Sequence, residues 1–319
     1  MIKFLKSNKL ITIFLLIICI FFIIKPSICS VASLNAISVW GLKVLPMLFP
    51  FFILTRLILN LSTFKPNFMD KFFNKAYNTP NGSFLVFFLS VLAGYPMGAK
   101  LVSSMYENNQ INNVQAKKML SFCSVSGPMF MVGTVGVAIF NNYRVGLIIL
   151  ISNIIASLIN GLIYRGKKEK KENNLIYAPQ QNTLADIVYD SLISILMVGA
   201  YIVLSFVIID VIKEFKILYF ITILFENLFN NDLNLIEAIL TGVIEITRGS
   251  IDIYSTNVSL MVKTILTSGI IAFGGISVFL QSLGFLKNLN IKPKTLLLQK
   301  FTQGLICLIV TFVISIIFL

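Results

Sequence analysis

Charged side chains interrupt apolar stretches of the sequence at two places where an ordinary membrane-spanning helix carries none. The stretch GYPMGAK, residues 94–100, breaks an apolar run and ends in Lys100. The stretch GVIEITRGS, residues 242–250, places Glu245 and Arg248 three residues apart. A charge inside a bilayer costs about 2.5–3.5 kcal/mol on insertion scales, so such residues usually face a polar interior. Lys100 and Arg248 therefore predict binding of an anionic or polar solute, and Glu245 is a candidate carrier of a coupling proton or cation.

Two further apolar segments are interrupted by helix-breaking residues. They contain SVSGPMF, residues 124–130, and IIAFGGISVF, residues 270–279. A broken helix exposes backbone groups that a membrane tolerates only beside protein or a wet cavity. Helix halves that start at such breaks direct N–H groups and positive dipole ends at a bound anion. The predicted substrate-binding residues are Gly94, Pro96, Gly98, Lys100, Ser126, Gly127, Pro128, Phe130, Gly242, Glu245, Arg248, Phe273, Gly274, Gly275, Ser277 and Gln281, with Ser124, Thr134 and Ser268 as further hydrogen-bonding candidates.

Each of these features also has a purely structural explanation. Lys100 can reach a lipid headgroup with its long side chain. Glu245 and Arg248 can pair with each other on a helix surface, and Ser-Gly-Pro at residues 126–128 can be a simple kink. The binding interpretation is favoured because four interruptions recur in a repeated arrangement and two of them carry charges.

The residue types exclude most catalytic and metal chemistry. The chain contains no histidine, which removes imidazole bases, histidine metal ligands and histidine-based triads. The four cysteines, Cys19, Cys29, Cys123 and Cys307, form no CxxC pair, so a disulfide framework or a zinc site is not expected. We therefore expect no catalytic residue, no metal site and no cofactor, and we do not expect an enzyme.

The composition is that of a polytopic membrane protein. Of 319 residues, 57% are hydrophobic and 12% are charged, and the mean hydropathy is +0.89. Soluble domains carry about 25% charged residues. The net charge of +13 comes from basic residues that cluster between apolar runs, which is the positive-inside pattern of membrane proteins. We therefore expect a multi-pass protein of the cell membrane with lipid as a partner and no nucleic acid. The oligomeric state is left open.

Apolar blocks long enough to cross about 30 Å of hydrocarbon recur along the chain. The predicted crossings are residues 34–61, 84–105, 143–164, 184–212, 233–254 and 296–319. Two other segments, 114–140 and 258–285, contain Gly-Pro and Gly-Gly and are predicted to be re-entrant hairpins that do not fully cross. Residues 1–30 are predicted to be a retained signal-anchor helix, with a cleaved signal peptide as the alternative.

Basic residues predict which loops lie in the cytoplasm. The strongest marker is RGKKEKKE, residues 165–172, within a basic linker over residues 165–182. The other markers are Lys3, Lys6 and Lys9 at the N-terminus, then Lys65, Lys71 and Lys75, then Lys287, Lys292 and Lys294. Lys213 and Lys216 would lie on the external side of the membrane, which is an exception to the positive-inside rule.

The order of segments indicates an internal duplication. Gly94 and Gly127 are 33 residues apart, and so are Gly242 and Gly275. The predicted repeats cover residues 31–164 and 183–319. An odd number of crossings in each half inverts the second copy, and inverted repeats with broken helices are typical of secondary transporters. The predicted fold is therefore an all-α membrane protein of two inverted repeats with Gly-interrupted hairpins.

The residues of the interruptions also carry a family resemblance. The stretch from Gly94 to Phe140, GYPMGAKLVSSMYENNQINNVQAKKMLSFCSVSGPMFMVGTVGVAIF, strongly resembles the sporulation integral membrane protein family YlbJ. That family is placed in the nucleoside-recognition, or Gate, domain group. Residues 44–54, VLPMLFPFFIL, and the second-half stretches GVIEITRGS and GIIAFGGISVFLQ agree with it. The resemblance covers about residues 31–319.

The resemblance implies a role in endospore formation. It also implies a part in moving dipicolinic acid, a small aromatic dianion, across the membranes around the forespore. It therefore implies transport of a small anionic or polar solute through a midplane site. The alternatives are a non-transporting structural or assembly protein of the sporulation membrane, or a carrier of nucleoside-type solutes.

Overall fold

The computed structural model describes residues 9–61, 68–167, 183–225 and 232–319. These residues form helices joined by turns, with no strand among them, which confirms the predicted all-α class. Lys3, Lys6, Lys65 and most of the predicted basic linker lie outside the described residues. The helices are α1 (Lys9–Ile24), α2 (Pro26–Val39), α3 (Leu45–Leu61), α4 (Phe68–Tyr77), α5 (Ser83–Ala93), α6 (Met97–Glu107), α7 (Asn113–Cys123), α8 (Met129–Ile139, a π-helix), α9 (Tyr143–Ile163), α10 (Leu184–Glu214), α11 (Ile217–Phe225), α12 (Leu233–Ile244), α13 (Ile246–Ser255), α14 (Leu260–Phe273), α15 (Gly275–Phe285) and α16 (Pro293–Phe318). A short π-helical segment, Trp40–Val44, joins α2 to α3.

Five helical stretches within the described ranges are long and apolar enough to cross a membrane. They are Pro26–Ile58, Tyr143–Ile163, Leu184–Glu214, Leu260–Phe285 and Pro293–Phe318. About 20 residues at 1.5 Å per residue cross the hydrocarbon core, so each stretch is sufficient. The protein is therefore a multi-pass membrane protein.

Helices α5 and α6 form a helical hairpin. A Cβ atom on Gly98 would lie 3.1 Å from Oγ of Ser90, and helices on either side of the break bring these positions together only when the chain reverses direction. Each helix has 11 residues, about 16 Å or half of the hydrocarbon core. This hairpin corrects the predicted full crossing over residues 84–105.

Helices α7 and α8 form one interrupted crossing beside α9. Near the end of α9, Nδ2 of Asn160 donates to the carbonyl of Ser121 at 2.7 Å. Near its start, a Cβ on Gly136 would lie 2.6 Å from Cα of Gly146. Because these contacts lie at opposite ends of α9, the chain continues through the break. The predicted re-entrant hairpin over residues 114–140 is therefore corrected to a broken crossing.

The second half shows the same two elements. A Cβ on Gly249 would lie 2.0 Å from Cα of Gly242, so α12 and α13 fold back on each other as a hairpin. Helices α14 and α15 together form the crossing Leu260–Phe285. The predicted crossing over residues 233–254 is thus a hairpin, and the predicted hairpin over residues 258–285 is a crossing.

The order of elements is the same in both halves. Each half has a long crossing helix, a short helix, a helical hairpin, an interrupted crossing and a final crossing helix. The first set runs over residues 26–163 and the second over residues 184–318. This order supports the predicted duplication, while the inverted relation between the copies stays a prediction.

Hydrogen bonds join several loops that the sequence assigned to the cytoplasm. The bonds run from Asn78 Nδ2 to Gly166 O (2.7 Å), from Lys118 Nζ to Asn78 O (3.2 Å), from Asn113 Nδ2 to Asn290 O (3.0 Å) and from Asn288 Nδ2 to Glu107 Oε1 (2.7 Å). Helix α4 with Lys71 and Lys75, the loop with Arg165, and the loop with Lys287 and Lys292 therefore lie at one end of the bundle, as does Lys294 in the first turn of α16.

Buried polar side chains connect α9, α14 and α16. Nδ2 of Asn153 lies 3.4 Å from the carbonyl of Ser268, and Thr311 donates to Ser268 Oγ at 2.8 Å. Thr302 donates to Oδ1 of Asn160 at 2.8 Å. Since lipid provides little hydrophobic drive for helix association, such interhelical bonds help to fix the packing.

Candidate functional site

A central cavity of about 60 Å³ lies where the interruptions of both halves meet, with room for a few water molecules. Its polar lining comes from Gly94, Tyr95, Ser126 and Gly127 of the first half and from Glu245, Thr247, Ser277 and Gln281 of the second half. Apolar residues complete it, among them Leu48, Phe52, Phe130, Val198 and Ile202. Seven predicted site residues therefore line one cavity: Gly94, Ser126, Gly127, Phe130, Glu245, Ser277 and Gln281.

Close glycine contacts bring each hairpin against the interrupted crossing of its own half. A Cβ on Gly94 would lie 2.4 Å from the nitrogen of Gly127. In the second half, a Cβ on Gly275 would lie 3.3 Å from the carbonyl oxygen of Gly242. Gly94 has φ +68° and Gly275 has φ +65°, which L-residues rarely adopt. The 33-residue spacing in the sequence thus corresponds to a direct contact in each half.

Glu245 ends α12 and begins α13 at the tip of the second hairpin. It is only 2% exposed. Its carboxylate accepts the backbone N–H groups of Thr247 at 3.0 Å and of Arg248 at 2.7 Å, as an N-cap residue does. A carboxylate thus lies in the wall of the central cavity and faces the positive end of a helix.

Arg248 lies behind the cavity wall. Its Nη2 lies 3.4 Å from Oδ1 of Asp210, and its Nε lies 3.2 Å from Oδ1 of Asp252. The guanidinium also lies 4.9 Å from the ring centre of Phe206. Arg248 therefore does not form the side-chain pair with Glu245 that the sequence left open. Its guanidinium instead belongs to an ion-pair network that joins α13 to α10.

A second cavity, here called the vestibule, adjoins the central cavity and also has a volume of about 60 Å³. Both are lined by Phe52, Ala93, Tyr95, Val198 and Gln281. The vestibule contains the predicted residues Pro96 and Lys100, and it adds Arg56, which the sequence analysis missed. It lies towards the predicted cytoplasmic end, because Arg56 is in the second half of α3 and the next helix, α4, carries Lys71 and Lys75.

The remaining predicted site residues line neither cavity. They are Gly98, Pro128, Gly242, Arg248, Phe273, Gly274 and Gly275. Most of them shape the backbone around the cavity: a Cβ on Gly98 would lie 1.9 Å from the carbonyl oxygen of Cys123, and Gly274 takes φ +87° at the break between α14 and α15. Pro128 is the residue before α8.

Lys300 is a further residue that the sequence analysis missed. It belongs to α16 and is 4% exposed. Its ammonium donates to Tyr95 Oη at 2.5 Å, to the carbonyl of Ser124 at 2.7 Å and to Oε1 of Gln303 at 2.9 Å. It also lies 4.6 Å from the ring centre of Tyr95. A buried lysine in a membrane helix is by default a functional candidate, and here it fixes a residue that lines both cavities.

The electrostatics of the site combine both signs of charge. Positive helix ends at α8, α13 and α15 surround the central cavity, with Lys300 behind Tyr95. The carboxylate of Glu245 is offset by the N–H groups that it caps. Hydroxyl and amide groups of Ser126, Ser277 and Gln281 complete the polar lining. Such a site suits a small polar or anionic molecule or water.

Comparison with known proteins identifies one curated relative at 30% identity. It is the sporulation integral membrane protein YlbJ of Bacillus subtilis (strain 168). The alignment extends over 327 residues and covers 93% of this chain and 80% of the relative. It therefore includes both hairpins and both interrupted crossings.

Two other comparisons gave no match. No family model matches the chain, so the predicted placement in the Gate domain group stays a prediction. No solved structure matches it either.

Proposed function

Because the chain belongs to the YlbJ family of sporulation integral membrane proteins, we propose that it transports a small polar or anionic solute across a membrane of the developing spore. The observation that carries the proposal is the central cavity, which both halves line with interrupted helices. Broken helices that meet around a polar cavity are how many secondary transporters bind their substrates. By family resemblance the proposed solute is dipicolinate.

Two ion-pair clusters lie on opposite sides of the central cavity along α10. Asp190 pairs with Arg56 at 3.1 Å, and Asp210 pairs with Arg248 at 3.4 Å. Twenty residues of helix separate these carboxylates, about 30 Å or the thickness of the hydrocarbon core. Ile202, near the middle of this stretch, lines the cavity. If the two clusters break in turn, the cavity opens first to one side of the membrane and then to the other.

Flux into proteoliposomes tests the proposal. The purified protein is reconstituted, and radiolabelled dipicolinate uptake is compared with that of empty liposomes. Uptake well above the empty control is expected, and Glu245→Gln should lower it because the variant removes the carboxylate proposed to carry a coupling proton or cation. The control is Glu214→Gln, which removes an exposed carboxylate paired with Lys25 at 3.0 Å, away from the cavity and from both ion-pair clusters.

The same experiments distinguish transport from the alternative of a structural or assembly protein. A protein with only an assembly role would give no uptake, and spores would tolerate Glu245→Gln while losing dipicolinate on deletion of the gene. Equal uptake with and without the protein would therefore refute transport of this solute.

A further inference from the structure

The vestibule contains the positive charge of Arg56, and the carboxylate that pairs with it, that of Asp190, lies outside the vestibule lining. Nη1 of Arg56 lies 3.1 Å from Oδ2 of Asp190, and its Nη2 donates to Ser194 Oγ at 2.6 Å. The Arg56 side chain is 13% exposed, whereas that of Asp190 is 55% exposed. Arg56 and Ser194 line the vestibule, but Asp190 does not. The arginine is thus largely buried in the cavity wall, and its partner reaches it from the solvated side.

Lys100 supplies a second positive charge to the same vestibule. It lies on α6, one turn beyond the break at Gly94 to Pro96, and its side chain is exposed. Among the described residues, no carboxylate lies within ion-pair distance of its ammonium. The vestibule therefore presents two cations, and within the described ranges the one carboxylate that pairs with either of them, that of Asp190, lies outside its lining.

The rest of the vestibule lining is mostly apolar. Phe52 and Phe285 contribute aromatic rings, and Met97 and Met197 contribute flexible thioethers. Ligand sites of this kind hold an apolar body among hydrophobic side chains and orient it by a few polar groups. Arginine in particular forms paired hydrogen bonds with a carboxylate.

We propose that the vestibule is a capture site for organic anions with an apolar body, in which a solute carboxylate replaces Asp190 as the partner of Arg56. In the absence of solute, the carboxylate of Asp190 pairs with Arg56. Lys100 attracts the anion, and Tyr95 and Gln281, which line both cavities, lead from the capture site to the central cavity. This inference rests on the proposed function, since it assigns the first binding step of the same transport path.

Two substitutions at the ion pair have opposite predicted effects on binding. Arg56→Gln should weaken binding of radiolabelled dipicolinate about tenfold, since it removes a charge-assisted hydrogen bond. Asp190→Asn should tighten binding about two- to fivefold, since it removes an internal competitor of surface ion-pair strength. If the pair were only structural, both variants would lower binding and stability together.

The binding assay uses the full chain in nanodiscs of neutral phosphatidylcholine. Glu214→Gln is the control because it removes a carboxylate at the other end of α10 that pairs with Lys25 at 3.0 Å; binding should not change. The neutral diamide of dipicolinate should not compete. A second arm adds phosphatidylglycerol, because a lipid headgroup is the other source of an anion for Lys100 and Arg56.

Three outcomes overturn the capture site: weaker binding in Asp190→Asn, unchanged binding in Arg56→Gln, or loss of dipicolinate binding when phosphatidylglycerol is present. The flux assay is read separately. Flux with unchanged binding in these variants refutes the capture site and leaves the transport function intact. Binding that follows the prediction without any flux refutes transport and leaves the capture site intact.

Discussion

The ammonium of Lys300 donates a hydrogen bond to the phenol oxygen of Tyr95 at 2.5 Å. This contact joins the last helix of the chain to the tip of the first hairpin. The same phenol lies 3.2 Å from the carbonyl oxygen of Ala272, so Tyr95 is held from α14 and α16 while its side chain lines both cavities. The position of the first hairpin therefore depends on the second half of the molecule.

This contact should appear as energetic coupling between the two residues. Lys300→Met and Tyr95→Phe each remove one side of the bond, and the double variant removes it only once. We expect a coupling free energy of unfolding of about 0.5–3 kcal/mol, measured in detergent micelles by a double-mutant cycle. The control combines Lys300→Met with Tyr254→Phe. Because Tyr254 lies beside Lys263 and not beside Lys300, these two effects should be additive. Additivity for the Lys300 and Tyr95 pair would contradict the assigned contact.

The contact of Gly94 with Gly127 should not tolerate a side chain. Gly94→Ala places a Cβ 2.4 Å from the nitrogen of Gly127 and forces a φ of +68° on an L-residue. We expect a loss of more than about 2 kcal/mol in the free energy of unfolding. Gly284→Ala is the matched control, since nothing lies within 4 Å of its Cβ; a helical alanine there should leave stability unchanged or raise it by up to about 1 kcal/mol. Equal effects of the two substitutions would show that the hairpin tip is not packed as described.

The two hairpins should be accessible from opposite faces of the membrane. In a variant with its four cysteines replaced by serine, Asn108→Cys at the base of the first hairpin should react with an impermeant maleimide only from the cytoplasmic side. Asn257→Cys at the base of the second hairpin should react only from the other side. Labelling is measured in intact cells and in inverted vesicles. Reaction of residue 108 from outside, as a full crossing over residues 84–105 would require, would contradict the hairpin.

The sequence predicted the interruptions but not which of them reverse the chain. Gly94 and Gly127 both mark breaks, and local sequence gives both the same signal. Reversal depends on tertiary packing: Gly98 lies against the carbonyl of Cys123, and Gly249 lies against Gly242. Such contacts join distant or folded-back segments, so periodicity and composition do not reveal them.

The missed residues have a similar physical explanation. Lys300 lies near the start of an apolar run, where a lysine ordinarily reaches the headgroups. Its partners Tyr95 and Ser124 are 205 and 176 positions away in the chain. Arg56 likewise lies near the end of a crossing helix, and its bond to Ser194 spans 138 residues. By contrast, the residues at the breaks, such as Ser126 and Glu245, were identifiable because a break exposes backbone groups that need a polar setting.

Solute-protected modification of the central cavity tests the account most directly. Ser126→Cys and Ser277→Cys, one from each half, are made in the cysteine-free background. The control is Ser255→Cys, which lies at the end of α13 in a separate pocket lined also by Thr256 and Asn257. The account predicts that a small anionic thiol reagent stops dipicolinate flux in both cavity variants, that dipicolinate slows both modifications, and that the control keeps its flux. Modification of residues 126 and 277 that neither stops flux nor is slowed by the solute would contradict a transport path between the two halves.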